Sequence, residues 1–189
     1  MDTLHAASSA GDVGKLRLAL QAGVDVDSKD AGSGDTALMA ACEGGHEDVT
    51  RLLLEAKAAV DSRANDEVTA LMAASQNGHE GTVRLLLEAG AAVDSMSNDG
   101  GSALMAASQN GHEGTVRLLL EARAAVDLKY TNGATAMMFA SQNGHEGTVR
   151  LLLGAGAALD SKDTDGWTAL VYAIRSEHLD VARVILGAV

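Results

Sequence analysis

His46, His79, His112, His145 and His178 stand 33 residues apart. Around them the segment Ser-Gln-Asn-Gly-His-Glu-Gly-Thr-Val-Arg-Leu-Leu-Leu occurs three times without change, at 75–87, 108–120 and 141–153. Degenerate copies flank these, from Asp35 to Val60 and from Trp167 to Leu186. Another opens the chain, with Leu4-His5-Ala6-Ala7, Gly11, Leu16, Leu18, Leu20 and Ala22-Gly23-Val24-Asp25-Val26. It precedes the next by 34 residues, so one extra residue lies near Lys29–Gly34. A fixed period of this length restricts the chain to a linear array of one repeated supersecondary unit.

Each unit reads as helix, turn, helix, loop. In the copy at 64–96, Thr69 suits an N-cap, because its hydroxyl can accept from a free first-turn amide. The spacing predicts a short helix over Ala70–Gln76, with Leu71 and Ala74 on one face. Asn77-Gly78 ends it, the glycine supplying a left-handed backbone. A second helix is predicted from about Glu80 to Ala89, with Val83, Leu86 and Leu87 on one face. Glu80, Arg84 and Glu88 fall four apart on the other, a solvated ion-pair stripe worth a few tenths of a kcal/mol per pair. Gly90 stops this helix, and an extended loop and turn lead to the next unit.

Isolated helices shorter than about 12–15 residues are marginal in water. Stacking identical pairs buries a continuous core, and the terminal units must differ to close it. The units predicted are 1–29 as an N-terminal cap, then 30–63, 64–96, 97–129, 130–162 and 163–189, in a single domain. Lys15 and Arg17 in the second helix fit the first unit as a cap. Val184, Ile185 and Val189 leave the last unit apolar for an exposed end. Either more chain or another surface is expected to cover it.

Composition agrees with thin, closely packed helices. Apolar residues are 47% of the chain but aromatics only 2%, so the core must be Ala, Leu, Val and Met. Proline is absent. The formal net charge is −12 and no basic patch is visible, which argues against nucleic acid and against an anionic membrane surface. It favours a partner whose surface is neutral or basic. The single cysteine, Cys42, cannot form an internal disulfide and is expected to be a buried, inert thiol in an intracellular, cytoplasmic setting. No apolar run approaches the about 18 residues of a membrane span, and no secretory leader is expected from the opening residues.

The residues that carry a family resemblance are Thr-Ala-Leu-Met-Ala-Ala (36–41, 69–74), Gly-His (45–46, 78–79, 111–112, 144–145), Val-x-Leu-Leu-Leu (83–87, 116–120, 149–153) and Gly-Ala-Ala-Val-Asp (90–94). Their order and period resemble ankyrin repeats over essentially the whole chain. The resemblance implies an all-α solenoid of six stacked helix-turn-helix units joined by β-hairpin-like turns. It also implies a non-catalytic role in protein binding. The family usually has Thr-Pro-Leu-His where this chain has Thr-Ala-Leu-Met. Ala37, Ala70, Ala103, Ala136 and Ala169 take the proline place. Met39, Met72, Met105 and Met138 take the histidine place, which only His5 retains. Losing both should soften the array without changing its fold.

No motif calls for catalysis, a metal or a cofactor. Helices in adjacent units pack about 8–10 Å apart, whereas zinc ligands lie about 2.1 Å from one ion, so the histidine ladder is not expected to bind metal. Each histidine is expected to bond to nearby backbone at the helix–helix turn. Ser161–Gly166 lacks the first acid of a calcium loop and has Tyr172 where the closing Glu belongs. Gly11–Lys15 is not a phosphate loop, because Leu16 stands where a hydroxyl residue is needed. The methionines are expected to pack the core.

The resemblance places the partner on the concave side, at the turn tips and the exposed edges of the first helices. The helix-edge positions are Glu43, Gln76, Asn77, Gln109, Asn110, Gln142, Asn143 and Arg175. The tips contribute Asn65, Asp66, Asn98, Asp99, Thr131, Asn132, Thr164, Asp165 and Trp167. Gln-Asn recurs unchanged through three units, which suggests recent duplication, deliberate design or a repetitive partner. Variation lies later in the chain. Tyr130 and Trp167 are read as equivalent or neighbouring turn positions. With Asn132 and Arg175 they form the expected hot-spot patch, since hot spots favour Trp, Tyr and Arg. Phe139 and Tyr172 replace Ala73 and Ala106 and are read as core filling. A monomer is expected; pairing through the apolar C-terminal end, or an array without a dedicated partner, is the alternative.

Overall fold

The computed structural model describes residues 3–188. Among them it has twelve helices and no strand. The helices form six pairs: α1 (Thr3–Ser9) with α2 (Val13–Gln21), α3 (Ala37–Glu43) with α4 (Glu47–Glu55), α5 (Ala70–Gln76) with α6 (Glu80–Glu88), α7 (Ala103–Gln109) with α8 (Glu113–Glu121), α9 (Ala136–Gln142) with α10 (Glu146–Gly154), and α11 (Ala169–Arg175) with α12 (Leu179–Leu186). Odd-numbered helices stack on odd and even on even. The result is a two-row solenoid in which each pair touches its neighbours.

The core lies between the rows and between successive pairs. Leu71, Ala74, Val83 and Leu86 are at most 2% exposed, and the matching residues of the other inner pairs are buried alike. Leu87, expected on the same face as Val83, is only half-buried. The methionines at 39, 72, 105 and 138 are all buried core residues.

The predicted cap is present. The Thr69 hydroxyl accepts from the Met72 amide at 3.4 Å, and Thr36, Ser102 and Thr168 do the same one unit away or more. Each unit has up to three left-handed positions. Glycine fills most of them, and Lys57, Glu67, Arg123 and Glu177 fill the rest with φ of 63–68°. Among the described residues the predicted stripe of Glu80, Arg84 and Glu88 forms no ion pair within 4.0 Å, whereas Arg150–Glu146 at the equivalent positions two units on is formed at 2.7 Å.

Three ladders join the units. The amide that opens each tip turn donates to the carbonyl that closes it, Asp30 to Asp35, Ala64 to Val68, Ser97 to Gly101, Tyr130 to Ala134 and Asp163 to Trp167, and a second backbone bond returns to each opening carbonyl, from Gly34, Glu67, Gly100, Gly133 and Gly166. The first turn encloses one residue more than the others, where the extra residue was expected. Successive tips are then linked, Asn65 N–H to Ser33 O, Asn98 to Asp66, Thr131 to Asp99 and Thr164 to Asn132, at 2.8–2.9 Å. In the second ladder, Asp27, Asp61, Asp94 and Asp127 accept from the amides of Ala59, Ala92, Ala125 and Ala158 in the following unit, at 2.8–3.0 Å.

The third ladder is the histidines. His46, His79, His112 and His145 place Nε2 3.0–3.1 Å from the carbonyls of Ser9, Glu43, Gln76 and Gln109. A carbonyl can only accept, so Nε2 carries the proton and donates. The backbone bond expected of each histidine is present in these four, but it reaches the preceding unit rather than the histidine's own turn. Among the described residues, no group of three or more His, Cys, Asp or Glu could hold a metal ion. No helix among them is long and apolar enough to cross a membrane.

Candidate partner-binding groove

The tips and the odd-numbered helices bound a groove. Over the second and third pairs it opens into a hollow of about 430 Å³. Gly32, Ser33, Asp35, Asn65 and Asp66 line it from the tips, and Met39, Glu43, Ala73, Gln76 and Asn77 from α3, α5 and their ends. A second hollow of about 200 Å³ adjoins it, sharing Val68 and Gln76. Met72, Met105, Ala106, Gln109, Ser97, Asp99, Tyr130 and Phe139 complete its wall. A third, of about 530 Å³, lies between α10 and α12 on the even-helix row. Its charges are already paired, Arg150 with Glu146 and Arg183 with Asp180.

Of the predicted contact residues, Glu43, Gln76, Asn77, Gln109 and Tyr130 line these two hollows, and Asn98, Asn110, Asn132, Gln142, Asn143, Asp165, Trp167 and Arg175 do not. Gln76, Gln109 and Gln142 are exposed, and the backbone carbonyls of Gln76 and Gln109 are held by histidines. Asn77, Asn110 and Asn143 are exposed helix caps, but each side-chain amide donates to a carbonyl one turn back at 2.9 Å. Asn98 reaches the Asn65 carbonyl at 3.3 Å. Asn132 accepts from the Ala134 amide at 3.0 Å. Glu43 and Asp165 are exposed.

Tyr130 and Trp167 do not occupy equivalent places. Tyr130 opens its tip turn and Trp167 closes its own, because the equivalents of Trp167 are Ala134, Gly101 and Val68. The expected patch is therefore two clusters. Tyr130 packs edge-on against Phe139, with ring centroids 5.6 Å apart. Trp167 packs against Tyr172 at 5.6 Å, and the Arg175 guanidinium lies 4.1 Å from the Trp167 centroid. Phe139 and Tyr172 touch the core but stay half-buried, so they are not core filling alone. Their rings are too large for the place that Ala73 and Ala106 occupy, and they extend toward the tips.

Two aspartates hold these phenols: Asp163, not singled out by reading the sequence, and Asp99, expected only as a tip residue. The Tyr172 hydroxyl donates to Asp163 at 2.6 Å, and the Tyr130 hydroxyl donates to Asp99. Burial, the bond to Asp163 and its charge push the Tyr172 phenol up to about 12. The bond to Asp99, then burial, raises Tyr130. The Ser97 and Tyr130 hydroxyls hold Asp99 below the usual carboxylate range. One signal was available: Asp163 and Tyr172 are nine apart, as are Tyr130 and Phe139 at the same two positions of the previous unit.

A family model described as ankyrin repeats (3 copies) matches residues 4–97, 56–129 and 104–188. This chain belongs to the ankyrin-repeat family. A search of curated proteins gave no match. Ankyrin repeats are generally modules of protein–protein interaction and non-catalytic scaffolds. That general role suits a groove whose exposed groups are amides, carboxylates and aromatic rings.

The ankyrin array departs from expectation at its C-terminal end. Ile185 is 2% exposed and belongs to the core, and Val184 is half-buried, packed against that core and lining the hollow between α10 and α12. The exposed apolar residues there are Ile174 at 53%, Leu179 at 58% and Leu186 at 57%. Ile174 stands where the inner units have Cys42, Ser75, Ser108 and Ser141, all covered by the next pair. Val189 lies outside the described residues.

Proposed function

We propose that this ankyrin array is a non-catalytic scaffold that grips a partner protein along the concave groove between tips and odd-numbered helices. The contact positions are Glu43, Gln76, Asn77, Asn98, Gln109, Asn110, Tyr130, Asn132, Gln142, Asn143, Asp165, Trp167 and Arg175. The observation that carries the reading is the pair of adjoining hollows, which join tips to helices across four pairs. The partner surface is neutral or basic, to suit a chain of net charge −12. A monomer in a reducing, cytoplasmic setting fits the lone buried Cys42. The units that supply the groove are those bounded at 29/30, 63/64, 96/97, 129/130 and 162/163.

The test is capture of partners by the wild type, Tyr130→Ala, Trp167→Ala and the double variant, with thermal unfolding measured on each. Partner loss with at most a modest fall in melting temperature supports the groove. Equal loss of stability and capture, or capture unchanged in the double variant, defeats it. The exposure of Ile174, Leu179 and Leu186 favours a second reading, pairing of this end with another copy. Sedimentation separates the two: a dimer that Leu179→Glu and Leu186→Glu dissociate supports pairing, and a monomer at all concentrations removes it.

A further inference from the structure

The smaller hollow is a local construction, not a feature of every unit. Phe139 stands where α5 and α7 carry Ala73 and Ala106, and Tyr130 stands where earlier tips carry Ala64 and Ser97. These two substitutions raise an aromatic wall over a floor that includes Met72, Met105 and Ala106. On the rim, Asp99 is exposed yet fixed: Ser97 Oγ donates to it at 2.6 Å and the Tyr130 hydroxyl donates to its other oxygen. A carboxylate has about four lone-pair sites, so these donors leave it able to accept again. The two adjoining hollows are also one-signed. They contain Asp35, Glu43, Asp66 and Asp99, and among the described residues their lining has no Lys, Arg or His.

One unit further on, an arginine of the chain itself rests on an aromatic ring, a tryptophan whose counterpart in the Tyr130 unit is Ala134. There Tyr172 bonds to Asp163, Trp167 packs on Tyr172, and the guanidinium of Arg175 rests on Trp167. In the unit before, the place of Arg175 is taken by Gln142, so the tyrosine, phenylalanine and carboxylate have no arginine of their own helix row beside them. A guanidinium is flat and weakly hydrated. It stacks on aromatic rings and forms two parallel bonds with a carboxylate. An ammonium does only the second job as a point charge, and an acidic or phosphorylated segment is repelled by four carboxylates.

We propose that the hollow walled by Tyr130 and Phe139 receives an arginine side chain from an extended segment of the partner protein, its guanidinium paired with Asp99. Neighbouring basic residues of the segment pass Asp66, Asp35 and Glu43 in the wider hollow. The inference rests on the protein-binding reading above and names the chemistry of the partner.

The experiment uses the full chain and a random 12-residue peptide display library as probe, with binding sites of recovered peptides mapped by backbone amide shifts. The expected result is an enriched arginine at one register, with shifts at Asp99, Gly101, Tyr130 and Phe139. Affinity should fall at least tenfold in Phe139→Ala and in Asp99→Asn, and at least fivefold when the peptide arginine becomes lysine. Phe139→Ala restores the residue of α5 and α7, so it keeps the fold even where Asp99→Asn loosens its tip; melting temperature verifies this. Groove-binding peptides without a fixed arginine overturn the inference while leaving the scaffold reading intact. Peptides that bind only outside the groove, or no enrichment at all, overturn both. Unchanged affinity in Phe139→Ala overturns the aromatic wall.

Discussion

The imidazole of His112 lies over Gly78 and donates from Nε2 to the carbonyl of Gln76, 3.0 Å away in the preceding unit. A Cβ on Gly78 would come within 2.5 Å of that ring, and the glycine's φ is 71°. The Gly-His pair that repeats along the chain is therefore divided between two contacts, each glycine serving the next unit's histidine. His112→Ala should cost about 1 kcal/mol, the net worth of one hydrogen bond. Gly78→Ala should cost more, since it adds both a left-handed Cβ and a clash. Urea unfolding of the two variants checks this ranking; an equal or reversed order would show that the ring moves aside freely.

Lys57 and Arg123 are strained where their counterparts are not. Both follow a helix C-cap with φ of 68° and 64°, at the position that Gly23, Gly90 and Gly156 fill in other units. An L-residue in this region costs roughly 1–2 kcal/mol, partly offset by the greater entropy glycine loses on folding. Lys57→Gly and Arg123→Gly should each stabilise the array by about 1 kcal/mol. Gly90→Lys should destabilise it by a similar amount. Chemical denaturation of the three variants tests the pattern, which fails if the signs are not opposite.

Most of the fold was legible because its cause is local and repeated. Thr69 caps α5, Asn77 and Gly78 end it, and Leu71, Ala74, Val83 and Leu86 are buried, all from spacing within one unit. The links between units were harder to read. The bond from Asp61 to the Ala92 amide joins residues 31 apart, and nothing in either residue's neighbourhood announces it. Recurrence of the aspartate at 61, 94 and 127 was its only trace. The groove was expected from family resemblance, and the core contact expected of Phe139 and Tyr172 is present, but not their partial exposure. Exposure there depends on how far a ring projects past the alanine it replaces, which spacing does not encode.

Proline should improve the first turns. Ala70 and Ala103 are the first residues of α5 and α7, where the amide has no carbonyl one turn back to reach. The preceding Thr69 and Ser102 have φ, ψ of −111°, 164° and −115°, 165°, the extended backbone that a following proline demands. Ala70→Pro and Ala103→Pro should each add about 0.5 kcal/mol by restricting the unfolded chain. Both alanines are 1% exposed, so the ring must find room among close neighbours. Calorimetry on the single and double variants decides: additive gains support preorganisation, and losses at both sites mean that packing outweighs it.

The tyrosine–aspartate pairs should weaken at both ends of the pH scale. Tyr172 is raised to about 12 by burial and by Asp163, and Tyr130 is raised by Asp99. A phenol raised in the folded state stabilises it fully below the unfolded value of about 10, and that contribution is lost as pH climbs through the folded value. At the acid end the carboxylates behave in the opposite sense. Burial alone would raise Asp163, but the Tyr172 hydroxyl and the amides of Trp167, Asp165 and Gly166 outweigh it and bring it below 3.8. Its contribution is present above the ordinary carboxylate value and disappears as pH falls through the lowered one. The chain has only two tyrosines, so absorbance at tyrosinate wavelengths reports these sites alone. The folded protein should show little ionisation at a pH where the urea-unfolded chain is half titrated. Tyr172→Phe, which installs the ring already present at 139, should flatten the stability profile at both the acid and the alkaline limb. Two ordinary phenol midpoints in the folded protein would mean that neither hydroxyl is held by its aspartate, and a Tyr172→Phe profile with both limbs undiminished would mean that Asp163 does not hold Tyr172.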